Sequence, residues 1–227
     1  MKWNDLKSGL MNWRFKSRWP LVICLTLVCC QANAAQWVAR QNLGRFVVRA
    51  DFSLDGHQQL MSELGKLDQD LTNRLGIGAA REPVFLFLFH NKRAYQGYLH
   101  EYFPGVPDRR ALYIKGKEPG WVFAFVSPEF DVDVRHESTH ALLHAQLPSV
   151  PLWLDEGLAE YYEVPADKRA YDNPHFSPTK WAARFHQVRR LSDLESMREV
   201  KEMGKHEYRA AWAWVHFMLH GPPAAHD

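Results

Sequence analysis

The spacing of apolar residues predicts short strands in the first half of the chain and helices in the second. Residues 84–89 are continuously apolar, and so short a run predicts a buried strand. A helix is predicted where leucines recur every three or four residues, at Leu60, Leu64, Leu67, Leu71 and Leu75. The same criteria predict strands at 45–50, 111–115 and 121–126, and helices at 91–102, 131–147, 153–163, 179–189, 193–203 and 207–220. This order of elements indicates an α+β domain.

The first 34 residues have the pattern of a secretory signal peptide. Basic residues are frequent between Lys2 and Arg18, the apolar run 21–30 follows, and Ala32 and Ala34 precede the predicted cleavage point. The run is too short to span a bilayer, which takes about 20 residues. We therefore expect a secreted or periplasmic protein without a stable membrane anchor after cleavage, with one domain over the remainder of the chain. An uncleaved membrane anchor is the alternative.

Composition narrows the chemistry of residues 35–227. All three cysteines, Cys24, Cys29 and Cys30, lie in the predicted signal peptide, whereas all 12 histidines lie beyond it. Disulfides, thiolate metal ligands and a cysteine nucleophile are thereby excluded from the mature chain. The whole chain has a net charge of only +2, which gives no electrostatic case for a nucleic-acid partner.

The strongest motif is His136-Glu137-Ser-Thr-His140, in the middle of the predicted helix 131–147. Two histidines four residues apart lie on one helix face, so that both imidazoles can bind one ion. Glu137 is placed to act as general base towards a water. With a carboxylate as third ligand, zinc keeps its fourth position open for that water. The alternative is a surface helix that carries these residues without binding a metal.

The predicted helix 153–163 supplies acidic residues that complement this motif. Glu156 and Glu160 are four residues apart and share a face, which makes them a candidate third ligand and a carboxylate that accepts a ring N–H from a ligand histidine. Asp155 and Glu160 are the rival candidates for the third ligand. Asp155 and Glu156 are adjacent, and adjacent helical residues point about 100° apart, so either Asp155 or Glu156 should face away from the metal. A surface carboxylate is the alternative for Glu160. We expect His144 to be a partly buried core residue.

The HExxH helix followed by Trp153-Leu-x-Glu156-Gly-x-Ala-Glu160 resembles the gluzincin zinc metallopeptidases of the peptidase MA-like superfamily, such as thermolysin and the aminopeptidase N type. The resemblance implies a zincin-like fold, in which a small mixed sheet precedes the active-site helix and a helical C-terminal part. It implies that Glu137 is the general base and that Glu160 is the carboxylate beside a ligand histidine. It also implies Zn²⁺ as the cofactor, with three ligands: His136, His140 and Glu156.

Residues 208–219 resemble the helix that follows the site in secreted bacterial domains of this superfamily. The resemblance implies that Tyr208 donates a hydrogen bond to the oxyanion of the tetrahedral intermediate. An aromatic residue at the start of a helix is the alternative for Tyr208. His206, His216 and His220 are weaker candidates for the same role.

The expected activity is hydrolysis of peptide bonds in a peptide or protein substrate. The Gly-x-Met-Glu-Asn motif of the aminopeptidases is absent from residues 121–128, which favours an endopeptidase or a processing peptidase. We expect the strand 121–126 to be an edge strand on which an extended peptide lies. The alternative function is a non-catalytic, zinc-stabilised module that binds peptides or envelope components. Thermolysin-like enzymes build the far wall of their cleft from a larger helical region, so the sequence leaves open whether residues 35–227 are a complete domain.

Overall fold

The structure, a computed structural model, describes residues 37–78, 82–116 and 120–222. The predicted signal peptide, residues 1–34, lies outside them. The described part is α+β, with a five-stranded mixed sheet and seven α-helices. None of the helices in these three ranges is long and apolar enough to cross a membrane.

The sheet has the strand order β1-β2-β3-β5-β4. Its strands are β1 (Ala39–Leu43), β2 (Phe46–Ala50), β3 (Val84–Phe89), β4 (Ala111–Ile114) and β5 (Gly120–Phe125). The central strand β3 runs parallel to β2 and β5, whereas β1 and β4 are antiparallel edge strands. The apolar pattern did not predict β1, because its largely polar side chains are exposed or half-buried and its place comes from a hairpin with β2. Gly44 closes this hairpin with a φ of 56°.

The prediction that residues 121–126 form an edge strand is wrong. β5 lies between β3 and β4, and Val122, Phe123 and Ala124 are completely buried within it. The physical reason is that β4 and β5 pair as antiparallel neighbours and the apolar β5 takes the inner position against β3. The open edge of the sheet on this side therefore belongs to β4.

The described residues contain seven α-helices. They are α1 (Gln58–Leu75), α2 (Lys92–Tyr102), α3 (Phe130–Gln146), α4 (Leu152–Tyr162), α5 (Phe176–Arg184), α6 (Leu191–Glu195) and α7 (Lys205–His220). Of these, α1, α2 and α3 pack on the sheet. The predicted helix 193–203 is instead α6 followed by a separate 3-10 turn at Val200–Glu202. It is interrupted because the Glu202 carboxylate accepts the backbone N–H groups of Arg198 and Glu199, which a continuous helix would use elsewhere.

The apolar core has two parts. Helices α1, α3, α4, α6 and α7 contribute to the larger part, whereas α2 and β5 enclose a smaller aromatic cluster that includes Phe87, Tyr95 and Phe123. Helices α4 and α7 approach each other closely at Gly157, where a Cβ atom would lie 2.7 Å from the carbonyl oxygen of Ala211. This close approach holds α4 against α7, and α4 also packs on α3.

Candidate metal centre

Three predicted ligand atoms converge between α3 and α4. The Nε2 atoms of His136 and His140 are 3.2 Å apart, because residues one turn apart on α3 share a face. The Glu156 Oε2 atom lies 3.7 Å from His136 Nε2 and 3.6 Å from His140 Nε2. Ligand atoms about 2.05 Å from a tetrahedral zinc ion are separated by roughly 3.3 Å, so the three atoms fit such an ion.

The outer ring nitrogen of each histidine is held by a carboxylate. His136 Nδ1 is 3.0 Å from Glu163 Oε2, and His140 Nδ1 is 2.9 Å from Asp155 Oδ1. When the rings are neutral, as metal binding requires, these contacts place the ring protons on Nδ1, which donates to the carboxylate, and leave the Nε2 lone pairs facing the common point. Two facing lone pairs repel each other unless a cation lies between them, so the donor set fits a divalent metal.

The electrostatics of the site also suit a cation. Burial disfavours charge on His140, but its hydrogen bonds to Asp155 and Glu156 outweigh burial and raise its pKa to about 9. Burial likewise opposes the shift at His136, whose pKa is held well above its ordinary value by Glu156 and Glu163. Glu156 is also buried, yet the two imidazoles lower its pKa to about 2. The buried carboxylates thus favour positive charge between them, which a metal ion can supply.

Asp155 contributes to the site, although only one of the two adjacent acids was expected to face it. Asp155 and Glu156 approach opposite nitrogens of the same imidazole, that of His140, and both carboxylates are buried. The other Asp155 oxygen lies 2.8 Å from His144 Nε2. The half-buried position predicted for His144 is confirmed, and its contact with Asp155 places it behind the ligand set. Both adjacent acids can reach His140 because an imidazole ring has a nitrogen on each of two sides, so side chains that point about 100° apart can contact the same ring.

Glu160 lies close to the site, but its main partner differs from the expected one. Its Oε2 atom is 2.6 Å from His175 Nε2, whereas the carboxylate beside His136 Nδ1 is that of Glu163. Glu163 follows directly after the end of α4, and its backbone carbonyl accepts a hydrogen bond from Arg135 on α3. The sequence carried a signal for it, since Glu156, Glu160 and Glu163 are spaced four and three residues apart and so share a helix face.

The predicted base lies in an open cleft next to the ligands. The Glu137 Oε2 atom accepts the backbone N–H of Tyr113 on β4 at 2.8 Å, which orients the carboxylate. The cleft has a volume of about 410 Å³ and is lined by Arg109, Arg110, Ala111, Val132, Asp133, His136, Glu137, Glu160, Glu163 and Tyr208. Burial, reinforced by the charge of Glu156, raises the pKa of Tyr208 to about 12, so its hydroxyl keeps its proton at neutral pH.

Four of the predicted site residues therefore line one cleft, namely His136, Glu137, Glu160 and Tyr208. The side-chain atoms of His140 and Glu156 converge with that of His136. The weaker candidates His206, His216 and His220 do not line the cleft. No model of a known protein family matches this chain, and no curated protein matches it. The likeness to gluzincins consequently rests on the motif residues themselves.

Proposed function

We propose that this protein is a zinc-dependent peptidase with a zincin-like fold, exported from the cytoplasm by its N-terminal segment. The observation that carries the proposal is the convergence of His136, His140 and Glu156 on one point beside the Glu137 carboxylate. Two imidazoles and one carboxylate form a ligand set that leaves a zinc ion one open position. Zinc is assigned because this donor set lies on an HExxH helix, as in the gluzincins that the motif resembles, and thiolate ligands are excluded because no cysteine lies beyond Cys30.

Four side chains have defined tasks in the proposed reaction. A zinc ion held by His136, His140 and Glu156 would supply Lewis acidity for a carbonyl group and for a water molecule. The Glu137 carboxylate takes a proton from the attacking water and delivers it to the nitrogen of the leaving amine. Asp155 and Glu163 hold the two imidazoles in the orientation that directs Nε2 inwards. The protonated hydroxyl of Tyr208 is suited to donate a hydrogen bond to the developing oxyanion.

Peptides are the substrates that the surroundings of the cleft favour. The edge strand β4 contributes Ala111 to the cleft wall, and an extended peptide can add to such an edge through main-chain hydrogen bonds. The backbone N–H of Tyr113 already binds Glu137, so the strand and the base are held in one arrangement. This arrangement, together with the missing aminopeptidase motif, favours an endopeptidase or a processing peptidase.

The decisive experiment is the substitution Glu137→Gln. Glutamine has the same shape but cannot accept and return the proton, so kcat for a cleaved peptide should fall by about 10²–10⁴-fold. The zinc content should remain that of the unaltered protein, because Glu137 is not a ligand. Glu101→Gln on the exposed surface of α2 is a matched control and should change neither quantity.

A different result would support the non-catalytic alternative. If the unaltered protein binds one zinc ion but cleaves nothing in a broad peptide library, a zinc-stabilised binding module is the better interpretation. If Glu137→Gln retains full activity, the proposed base is wrong. Cleavage is read by mass spectrometry and zinc by atomic absorption on the same preparations.

A further inference from the structure

A second cavity lies between α5, the segment that follows it, and α7. It has a volume of about 180 Å³, and its polar lining residues are Thr179, Gln187, Arg189, His206 and Arg209. Arg189 Nη2 is paired with Glu207 Oε1 at 2.8 Å. Within the residues that the structure describes, Arg209 has no carboxylate within ion-pair distance. The cavity therefore presents a positive charge that no acidic side chain balances.

Two polar atoms of the lining residues are buried without a hydrogen-bond partner in the described part of the chain. They are Arg209 Nε, which is a donor, and Thr179 Oγ1, which can donate or accept. Buried polar atoms in native proteins nearly always have a partner, and an unpaired one is costly. Neither atom is itself accessible from the cavity, so an anion there would bind the outer guanidinium nitrogens of Arg209 and would reach Nε and Oγ1 only after these side chains rotate.

An apolar groove continues from this cavity. It has a volume of about 600 Å³ and shares Thr179, Val188 and Ala213 with the cavity, so the two spaces adjoin. Trp214 and Phe217 of α7 line the groove, and Phe217 is 45 % exposed. An exposed aromatic wall that leads directly to a cationic cavity suits a ligand with an apolar tail and an anionic head.

The two groove histidines on α7 do not provide a competing anion site. His216 Nε2 is 2.7 Å from the carbonyl oxygen of Ala170, and His220 Nε2 is 2.8 Å from the Tyr161 hydroxyl. Burial lowers the pKa of both histidines, which keeps their rings neutral at neutral pH. Neither of these two rings therefore adds positive charge to the groove along α7.

The backbone between α5 and the cavity has an unusual conformation. His186 lines the groove and has a φ of 56°, a backbone angle that residues other than glycine rarely adopt. Its N–H donates to the Ala183 carbonyl, and the next N–H, of Gln187, donates to the Ala182 carbonyl. This pattern ends α5 with a reversal that glycine usually makes and directs Gln187 into the cavity wall. Strained backbone of this kind is found preferentially at functional sites.

We propose that the cavity and groove together bind one anionic amphiphile, a single alkyl chain with a phosphate-like head. The donors around the cavity come from α5, from residues 187–189 and from α7, and a tetrahedral oxyanion offers acceptors in as many directions. The volumes of the two spaces are in the range of known small-molecule sites, which are largely apolar with a few orienting polar groups. This site is separate from the metal centre, and the proposal does not depend on hydrolytic activity.

Isothermal titration with three matched probes tests the proposal. Octyl phosphate carries both head and tail, octyl glucoside carries the tail with a neutral head, and inorganic phosphate is the head alone. Each is titrated below any micelle-forming concentration. Octyl phosphate should bind at least tenfold more tightly than either of the others. The substitution His140→Ala at the metal centre should leave this affinity unchanged.

Variants then assign the binding to the cavity and groove. Arg209→Gln should weaken octyl phosphate binding about tenfold or more, and it breaks no ion pair or Nε hydrogen bond within the described chain. Thr179→Val, which keeps the side-chain shape, should weaken it less. Phe217→Ala should weaken octyl phosphate but not inorganic phosphate. Arg198→Gln is a matched control at an exposed arginine and should have no effect.

Several results would overturn the proposal. Equal affinity for octyl phosphate and octyl glucoside would mean that the cationic cavity plays no part. Equal affinity for inorganic phosphate would leave an anion pocket without a tail site. An unaltered affinity in Arg209→Gln would place the ligand elsewhere. Dimers that form on concentration and are insensitive to octyl phosphate would assign the groove to a second copy of the chain.

Discussion

The metal centre and the α5–α7 cavity differ in how their polar groups are satisfied. At the metal centre, Asp155 and Glu163 each bind a ring nitrogen of a ligand histidine, and Glu137 binds a backbone N–H. In the cavity, Arg209 Nε and Thr179 Oγ1 are buried without partners in the described residues. The polar groups of the first site are held by the protein's own hydrogen bonds, whereas two polar atoms of the second site have no such partner in the described residues.

The two sites are nevertheless linked through α7. Tyr208 faces the cleft, whereas the next residue, Arg209, lines the cavity. Successive residues of a helix point about 100° apart, so one helical turn serves both sites. Helix α7 is positioned by its close contact with α4, the helix that carries Glu156. Substitutions can therefore be chosen that affect one site, or both.

Removing a metal ligand should have the largest effect and should be confined to the cleft. We expect His140→Ala to lose stoichiometric zinc and all peptidase activity, since only two of the three ligand atoms remain. His144→Ala is the matched control, because His144 contacts Asp155 and lies outside the converging set. Metal analysis of both purified variants checks this. Equal zinc in His140→Ala and the unaltered protein would exclude the proposed site.

The carboxylates beside the ligands should have the next largest effect. Glu163→Ala removes the partner of His136 Nδ1 and should lower the affinity for zinc about 10–100-fold. Glu160→Ala should lower it less, because the carboxylate of Glu160 is bonded to His175. Competition with a chelator of known affinity measures both variants. A larger loss in Glu160→Ala would restore the role that the sequence motif implies for that residue.

A substitution at the contact between α4 and α7 should affect both sites. In Gly157→Ala the new Cβ would lie 2.7 Å from a backbone oxygen of Ala211, so the helices must separate. We expect the free energy of unfolding in urea to fall by about 1–3 kcal/mol, with weaker binding of zinc and of octyl phosphate. Gly97→Ala on α2 is the control: nothing lies within 4 Å of its Cβ, so it should stabilise the protein by up to about 1 kcal/mol. Equal losses in the two variants would contradict the close contact.

The smallest expected effect is a pH dependence of the stabilisation by zinc. In the metal-free protein the pKa of His140 is raised from 6.5 to about 9. The stabilisation that the protonated His140 ring contributes to the folded state is therefore complete below pH 6.5 and is lost as the pH rises through 9. Zinc binds neutral imidazole, so the stabilisation of the protein by bound zinc increases over the same pH interval. The difference in Tm between zinc-loaded and chelator-treated protein should widen from pH 6.5 to 9, and a constant difference would contradict the carboxylate-bound imidazoles.

Local patterns in the sequence were sufficient for the α+β class and for the approach of His136 to His140 in the candidate metal centre. The apolar run 84–89 predicted β3, and the spacing of leucines predicted α1, because burial repeats with the period of the element. The histidines of HExxH meet because one helical turn separates them, which is a local property. Sequence alone also places all thiols in the first 34 residues.

The tertiary structure decided what depends on contacts between distant residues. The order of β4 and β5 follows from pairing with β3, and no local pattern shows which of two apolar strands takes the inner position. The roles of Asp155 and Glu163 emerge only when α4 is packed against α3, since each carboxylate approaches the far side of an imidazole. The cavity at Arg209 likewise exists only because α5 and α7 are brought together. Helix and strand periods are short-range properties, whereas the partner of a side chain is set by how the elements pack.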